Sequence, residues 1–229
     1  MPKPTLFVPL AQYCKDFEKD FQSITTERRT QLNQLSKYIC EKQLDEEPCS
    51  LVVICTHNAR RSHMAQLWLA TAAAHYGIQN IKTFSGGTEA TAFDRRSVAA
   101  LKRAGFEIVT SQEEENPTYF ATYGFSHTPL KMFSKKYDHE ENPNEQFAAI
   151  LVCSDADEKC PTVLGAEQRF VLAFDDPKKA DDTLMEKEIY DERVRQIGLE
   201  MWFVMAMVKF VLRKIDEKAE DEKVAVADG

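Results

Sequence analysis

The run from Leu51 to Ser62 constrains this chain more than any other stretch, because a short apolar segment empties directly into a cysteine, a polar loop, an arginine and a serine. Leu51 to Ile54 is rich in β-branched residues and suits a strand buried on both faces of a parallel sheet. After the loop, Ser62 is expected to cap an apolar, Ala-rich helix over Met64 to Tyr76. Strand, loop and helix in that order make an anion cradle, since the N–H groups of the turn and of the first helical turn converge where the helix dipole is positive. Cys55 stands where that field favours the nucleophilic thiolate. Arg61, six residues on, can hold two oxygens of a tetrahedral oxyanion in its planar fork.

The 229 residues, 43% hydrophobic and 29% charged, are enough for one domain with additions and a substantial core. A net charge of −8 argues against a general nucleic-acid or anionic-membrane partner, while leaving room for one local basic cradle. The N-terminus has no charged-then-apolar leader, and no apolar run approaches the roughly 20 residues that span a bilayer. A cytoplasmic enzyme is expected. Six cysteines, at 14, 40, 49, 55, 153 and 160, are too sparse for a small secreted disulfide framework, so catalytic or redox use suits some of them.

Residues 1–48 contain no glycine and read as a helical extension, with a short helix near 9–22 and a longer one near 25–43. Asn80 to Phe84 reads as a second strand closed by a turn at Ser85, Gly86 and Gly87, where the glycines allow positive φ or close backbone approach. Asp94 is expected to begin a helix over Arg95 to Ala104 that stops at Gly105. This β-α-β-α order is that of a doubly wound α/β fold with its site at the strand C-termini. Residues 113–146 read as an insertion in which 118–125 and 129–133 pair as a hairpin. Phe147 to Cys153 is a buried strand, and Arg169 to Phe174 a further apolar run that ends at Asp175, Asp176 and Pro177. A long helix near 188–214 closes an α/β domain spanning 49–216, and 217–229 reads as a charged, frayed tail.

Cys153 ends a core strand and Cys160 lies in the polar loop that follows. Their spacing is too long for the common Cys-x2-Cys zinc pattern and no histidine stands near, so no metal site is expected. A thiol relay fits the pair better, because a flexible loop between them can bring the two within disulfide reach. Asp176 is the candidate general acid, with Asp175 as its rival.

The Cys-x5-Arg-Ser signature at 55–62, with Asn58 inside it, resembles that of the low molecular weight protein tyrosine phosphatase superfamily. Within that superfamily, the segment from Cys153 through Cys160 and Pro161, followed by Phe174-Asp-Asp-Pro177, resembles the thioredoxin-coupled arsenate reductases. The resemblance covers about residues 50–215. It implies a parallel four-stranded sheet flanked by helices, to which this chain adds its N-terminal helices and the inserted hairpin. It further implies an oxyanion held by Thr56, His57, Asn58, Ala59, Arg60, Arg61 and Ser62. No tightly bound cofactor is implied, although a monovalent cation near the active loop is. The chain departs from the family pattern with His57 for glycine, Arg60 for a frequent cysteine, His63 for a frequent proline and Gln66 for a frequent glutamate.

On this resemblance the expected activity is arsenate reduction. Cys55 attacks arsenic, Asp176 protonates the departing water, and Cys153 and then Cys160 carry the disulfide to thioredoxin. An alternative is phosphoester hydrolysis through a phosphocysteine, acting on a phosphoprotein, with Cys153 and Cys160 dispensable. A third reading is a redox-responsive oxyanion-binding protein without turnover.

Overall fold

The computed structural model describes residues 6–110, 113–154 and 162–227, with side chains as far as 221. At its centre, β1 (Cys49–Cys55) pairs in parallel with β2 (Ile81–Gly87) on one side and with β6 (Phe147–Leu151) on the other. β7 (Ala166–Val171) extends the sheet beyond β6, giving the order β2-β1-β6-β7. Six of the seven residues of β1 and all five of β6 are buried, which is why both read as continuous apolar runs. The expected parallel four-stranded sheet flanked by helices is therefore present.

Two strand boundaries differ from expectation for physical reasons. β2 runs through Ser85, Gly86 and Gly87 instead of turning there. Neither glycine has positive φ; each is required by close approach, since a Cβ on Gly86 would lie 2.3 Å from the Tyr137 Cα and one on Gly87 2.7 Å from the Thr56 carbonyl oxygen. β7 begins three residues before Arg169, at Ala166, where Glu167 adds to the polar outer side of an edge strand.

α4 (Arg61–Tyr76) connects β1 to β2 and packs against both. α5 (Arg95–Ala104) follows as expected, with Asp94 accepting from the Arg96 and Ser97 amides and Gly105 ending it at φ 107°. Residues 119–132 form the expected hairpin from β4 (Tyr119–Thr122) and β5 (Leu130–Met132), but β3 (Glu107–Val109) also joins it to make a three-stranded antiparallel sheet.

The N-terminal helices share the core with the sheet. Instead of one helix near 9–22, the chain forms α1 (Val8–Cys14), α2 (Phe17–Asp20) and a 3-10 turn over Phe21–Ser23, so that the breaks turn Phe17 and Phe21 inward. The Phe17 ring lies 5.7 Å from both Trp68 and Trp202. α3 (Thr26–Leu44), capped by Thr25, lies against β1, β7 and α6 (Glu186–Ala227). α6 runs through the stretch expected to fray, where Arg213 and Lys214 both pair with Glu217.

α4 and α6 meet where Gly198 faces Trp68, and a Cβ there would sit 2.7 Å from the indole. Gly198→Ala gains helix propensity yet should lose about 1–2 kcal/mol net, because overpacking at a fixed ring outweighs that gain. Urea unfolding midpoints of the two proteins measure it, and an unchanged or higher midpoint would refute the packing argument.

Candidate active site

Three chain segments arrive at one edge of the sheet. Ile54 pairs with Leu151, and the Val152 amide donates to the Ile54 carbonyl at 2.9 Å, so Cys55 and Cys153 leave neighbouring parallel strands side by side. The Phe174 amide donates to the Val152 carbonyl at 3.1 Å, which brings the segment carrying Asp175 and Asp176 to the same edge. This is the strand C-terminal edge at which α/β sites form.

Between Cys55 and Arg61 the backbone carbonyls are drawn outward. Thr88 N donates to the Cys55 carbonyl, Glu89 N to that of Thr56, and Asp94 N to that of Ala59, at 2.8–3.2 Å. The His57 carbonyl accepts from the hydroxyls of Thr91 and Ser134. With its acceptors so committed, the loop is left with its N–H groups as donors for an anion. Asn58 adopts φ 45°, a left-handed conformation that asparagine tolerates, and His57 does not. That explains how histidine stands where the family usually has glycine. Its half-exposed ring lines the cradle beside Cys55 and reaches toward Glu89, 3.7 Å away.

Ser62 differs from expectation. The helix begins at Arg61, with Arg60 in the N-cap position and no side-chain cap, and Ser62 lies inside the first turn. Its buried hydroxyl is 3.1 Å from Cys55 Sγ and accepts from Asn58 Nδ2 at 2.9 Å. Asn58 Oδ1 in turn accepts from the Lys135 amide at 2.9 Å. Ser134 and Lys135 thus brace the loop from behind, a role for which no local pattern in the sequence is a signal.

Asp176 faces the cradle, whereas Asp175 is exposed, with Arg193 3.9 Å away. Arg60 Nε donates to Asp176 Oδ1 and Arg61 Nη2 to Oδ2, each at 2.8 Å. Burial alone would raise the Asp176 pKa; the Arg61 charge, the Lys178 amide and Arg60 together outweigh it and hold the carboxyl below its usual range. Arg61 also donates to the Phe174 carbonyl, and its Nε is buried with no hydrogen-bond partner among the described residues. Arg61 is therefore turned toward the acid with one donor in reserve. Cys153 is buried, with its Sγ 3.4 Å from the Oγ1 of Thr56, which follows Cys55 in sequence. Cys160 lies outside the described residues.

The monovalent cation implied for this region meets a changed donor set. Gln66 supplies a neutral amide where the family often has a carboxylate, its Nε2 donates to the Thr83 carbonyl at 3.0 Å, and its Oε1 is buried without a partner among the described residues. Among the described residues no group of three or more His, Cys, Asp or Glu side chains is placed to hold a metal ion. No helix among them is long and apolar enough to cross a membrane.

His63 fills the family's proline position as a buried ring, stacked 4.1 Å from Phe93 and 3.1 Å from the Ser85 hydroxyl. Burial, then the nearby Lys135 charge, pushes its pKa down to about 3. Its folded pKa is below the unfolded one, so the unfolded state binds the extra proton and stability falls as pH drops below about 6.5, by up to about 1.4 kcal/mol per unit. Urea unfolding between pH 7 and 5 should show this slope flattened in His63→Gln, and an identical slope would refute it.

A model of the low molecular weight phosphotyrosine protein phosphatase family matches residues 50–119. The arsenate reductase of Bacillus subtilis (strain 168) is 32% identical over 146 residues, 63% of this chain and 86% of that protein. The arsenate reductase of Bacillus licheniformis is 30% identical over 150 residues, 65% and 89% of the two chains. Among solved structures, an arsenate reductase in the phosphate binding state aligns at 16% identity and a TM-score of 0.46, over 70% of this chain and 98% of that one. With nearly the whole of two arsenate reductases matched at 30% identity or more, and the signature loop built between β1 and α4, this chain is an enzyme that belongs to the low molecular weight protein tyrosine phosphatase superfamily.

Proposed function

We propose that the protein is an arsenate reductase working through a thiol relay. The observation that carries the reading is the second thiol: Cys153 is buried beside the loop, 3.4 Å from the residue that follows Cys55, at the edge where an oxyanion would bind. A phosphoester hydrolase needs one cysteine there; reduction of arsenic needs more. The identity to two arsenate reductases supports the same choice.

Arsenate binds on the N–H groups of residues 56–62, and Arg61 turns from Asp176 to the oxyanion, taking up its unpartnered Nε. The Cys55 thiolate attacks arsenic, water departs with a proton from Asp176, and a thioarsenate adduct remains. Ser62, within hydrogen-bond distance of Cys55 Sγ, stabilises the thiolate before attack. The Cys153 thiolate then attacks the Cys55 sulfur. A Cys55–Cys153 disulfide forms, the electron pair of the S–As bond stays on arsenic, and arsenite leaves. Cys160 attacks Cys153, freeing Cys55 and leaving a Cys153–Cys160 disulfide for a dithiol of the thioredoxin type to reduce.

The second reading, phosphoester hydrolysis, is favoured by the family match over 50–119, which holds the cradle but neither relay cysteine. Single turnover separates the two. Fully reduced protein given one equivalent of arsenate should release arsenite and lose two thiols, mapped to Cys153 and Cys160. Cys153→Ser should bind phosphate within about threefold of wild type while losing at least 100-fold in arsenite release. Unchanged thiols with unreduced arsenate, together with hydrolysis of an aryl phosphate by the Cys153→Ser, Cys160→Ser double variant, would replace the reductase reading by the hydrolase one.

A further inference from the structure

Each oxygen of Asp176 holds a different guanidinium, Oδ1 that of Arg60 and Oδ2 that of Arg61. The two arginines differ in what else they hold. Arg61 belongs to the cradle and keeps an unpartnered Nε. Arg60 is braced from the other side by Asp94, whose Oδ2 is 3.7 Å from its Nη1 and whose Oδ1 caps α5. The partly buried chain Asp94, Arg60, Asp176, Arg61 thus has one end fixed to a helix and the other free to turn.

We propose that Arg60 is a positioning residue for the general acid: it keeps Asp176 at the cradle when an oxyanion draws Arg61 away, and so couples oxyanion binding to protonation of Asp176. This rests on the assignment of Asp176 as the acid in the reaction above. A tetrahedral dianion competes with a singly charged carboxylate for Arg61. Once Arg61 turns, Oδ2 faces an anion without its partner, and sharing a proton from solvent removes the repulsion. Oδ1 stays on Arg60 Nε and on the Lys178 amide at 3.0 Å, so the carboxyl does not swing away. The proton then lies on Oδ2, the oxygen vacated by the cradle arginine, ready for the departing oxygen.

Other charged groups around Asp176 are already engaged. From α6, Arg193 faces Asp175 and the Tyr190 hydroxyl donates to Asp181. From the cradle, His57 faces Glu89 and Cys55 faces Ser62. Among these groups Arg60 is the cation that stays on Asp176 after Arg61 leaves. A frequent cysteine at this position in the family could not do this, having neither the charge nor the reach.

Two measurements test the inference. First, arsenite release and tungstate binding are measured across pH for Arg60→Met and Arg60→Lys. Arg60→Met should lower the maximal rate about 10- to 100-fold, move the alkaline limb upward and leave the tungstate Kd within threefold, while Arg60→Lys recovers most of the rate. Unchanged rate and limb, or a matching loss of tungstate affinity, would overturn it; the latter would make Arg60 a ligand of the oxyanion. Second, Cys55→Ser protein, whose position 55 has no thiol to titrate, is titrated with tungstate at pH 6.5 by calorimetry in buffers of differing ionisation enthalpy. Proton uptake should accompany binding and vanish when Asp176→Asn is added. Binding without uptake would overturn the coupling even if arsenate is reduced. Uptake in a protein that reduces no arsenate would sustain the coupling and sink only the reductase reading.

Discussion

Everything at the site depends on the direction of a few backbone carbonyls. A buried parallel strand must end somewhere, and the five residues after Cys55 carry polar groups that a dry interior cannot leave unmatched. Here the carbonyls are matched from outside by Thr88, Glu89, Thr91, Asp94 and Ser134. The N–H groups are left for an anion. The orientation of those N–H groups is therefore a by-product of how the loop meets its hydrogen-bond requirements.

That solution involves parts of the chain that carry no chemistry of their own. The stretch after β5 supplies Ser134 and Lys135 behind the loop, and Asn58 transmits the contact to Ser62 and so to Cys55. Gly86 and Gly87 must lack side chains because Tyr137 and the loop backbone press against them. The N-terminal helices act at longer range, closing an aromatic cluster around Trp68 and Trp202 that seats α4, the helix whose first turn carries Arg61 and Ser62. Four local departures from the family pattern are each absorbed differently. His57 sits in a conformation any residue can adopt, His63 becomes a neutral buried ring, Gln66 caps a strand carbonyl, and Arg60 engages the acid.

Electrostatics at the cradle is a balance of few charges. Two guanidiniums and two carboxylates lie in a partly buried row, so an entering dianion upsets a nearly neutral set and meets no preformed excess of positive charge. On the proposed mechanism affinity and proton uptake are linked, because the anion and Asp176 share one arginine. The overall charge of −8 is then no obstacle to anion binding.

The sequence by itself determined the strand-loop-helix unit with Cys55 and Arg61 at its two ends, the capped helix at Asp94 and the buried strand leading to Cys153. Each is a local pattern, in which apolar runs, capping residues and a fixed spacing in the chain set the geometry within a few residues. It misplaced the end of β2, the break in the first helix and the role of Ser62, because those were decided by neighbours far along the chain: Tyr137 against Gly86, Phe17 against two tryptophans, and Lys135 against Asn58, whose amide holds the Ser62 hydroxyl. Only the tertiary structure brought Arg60 to Asp176 across 116 positions and set Asp176 apart from Asp175. A side chain's partner across that distance depends on how strands and helices stack, and no spacing in the chain records it.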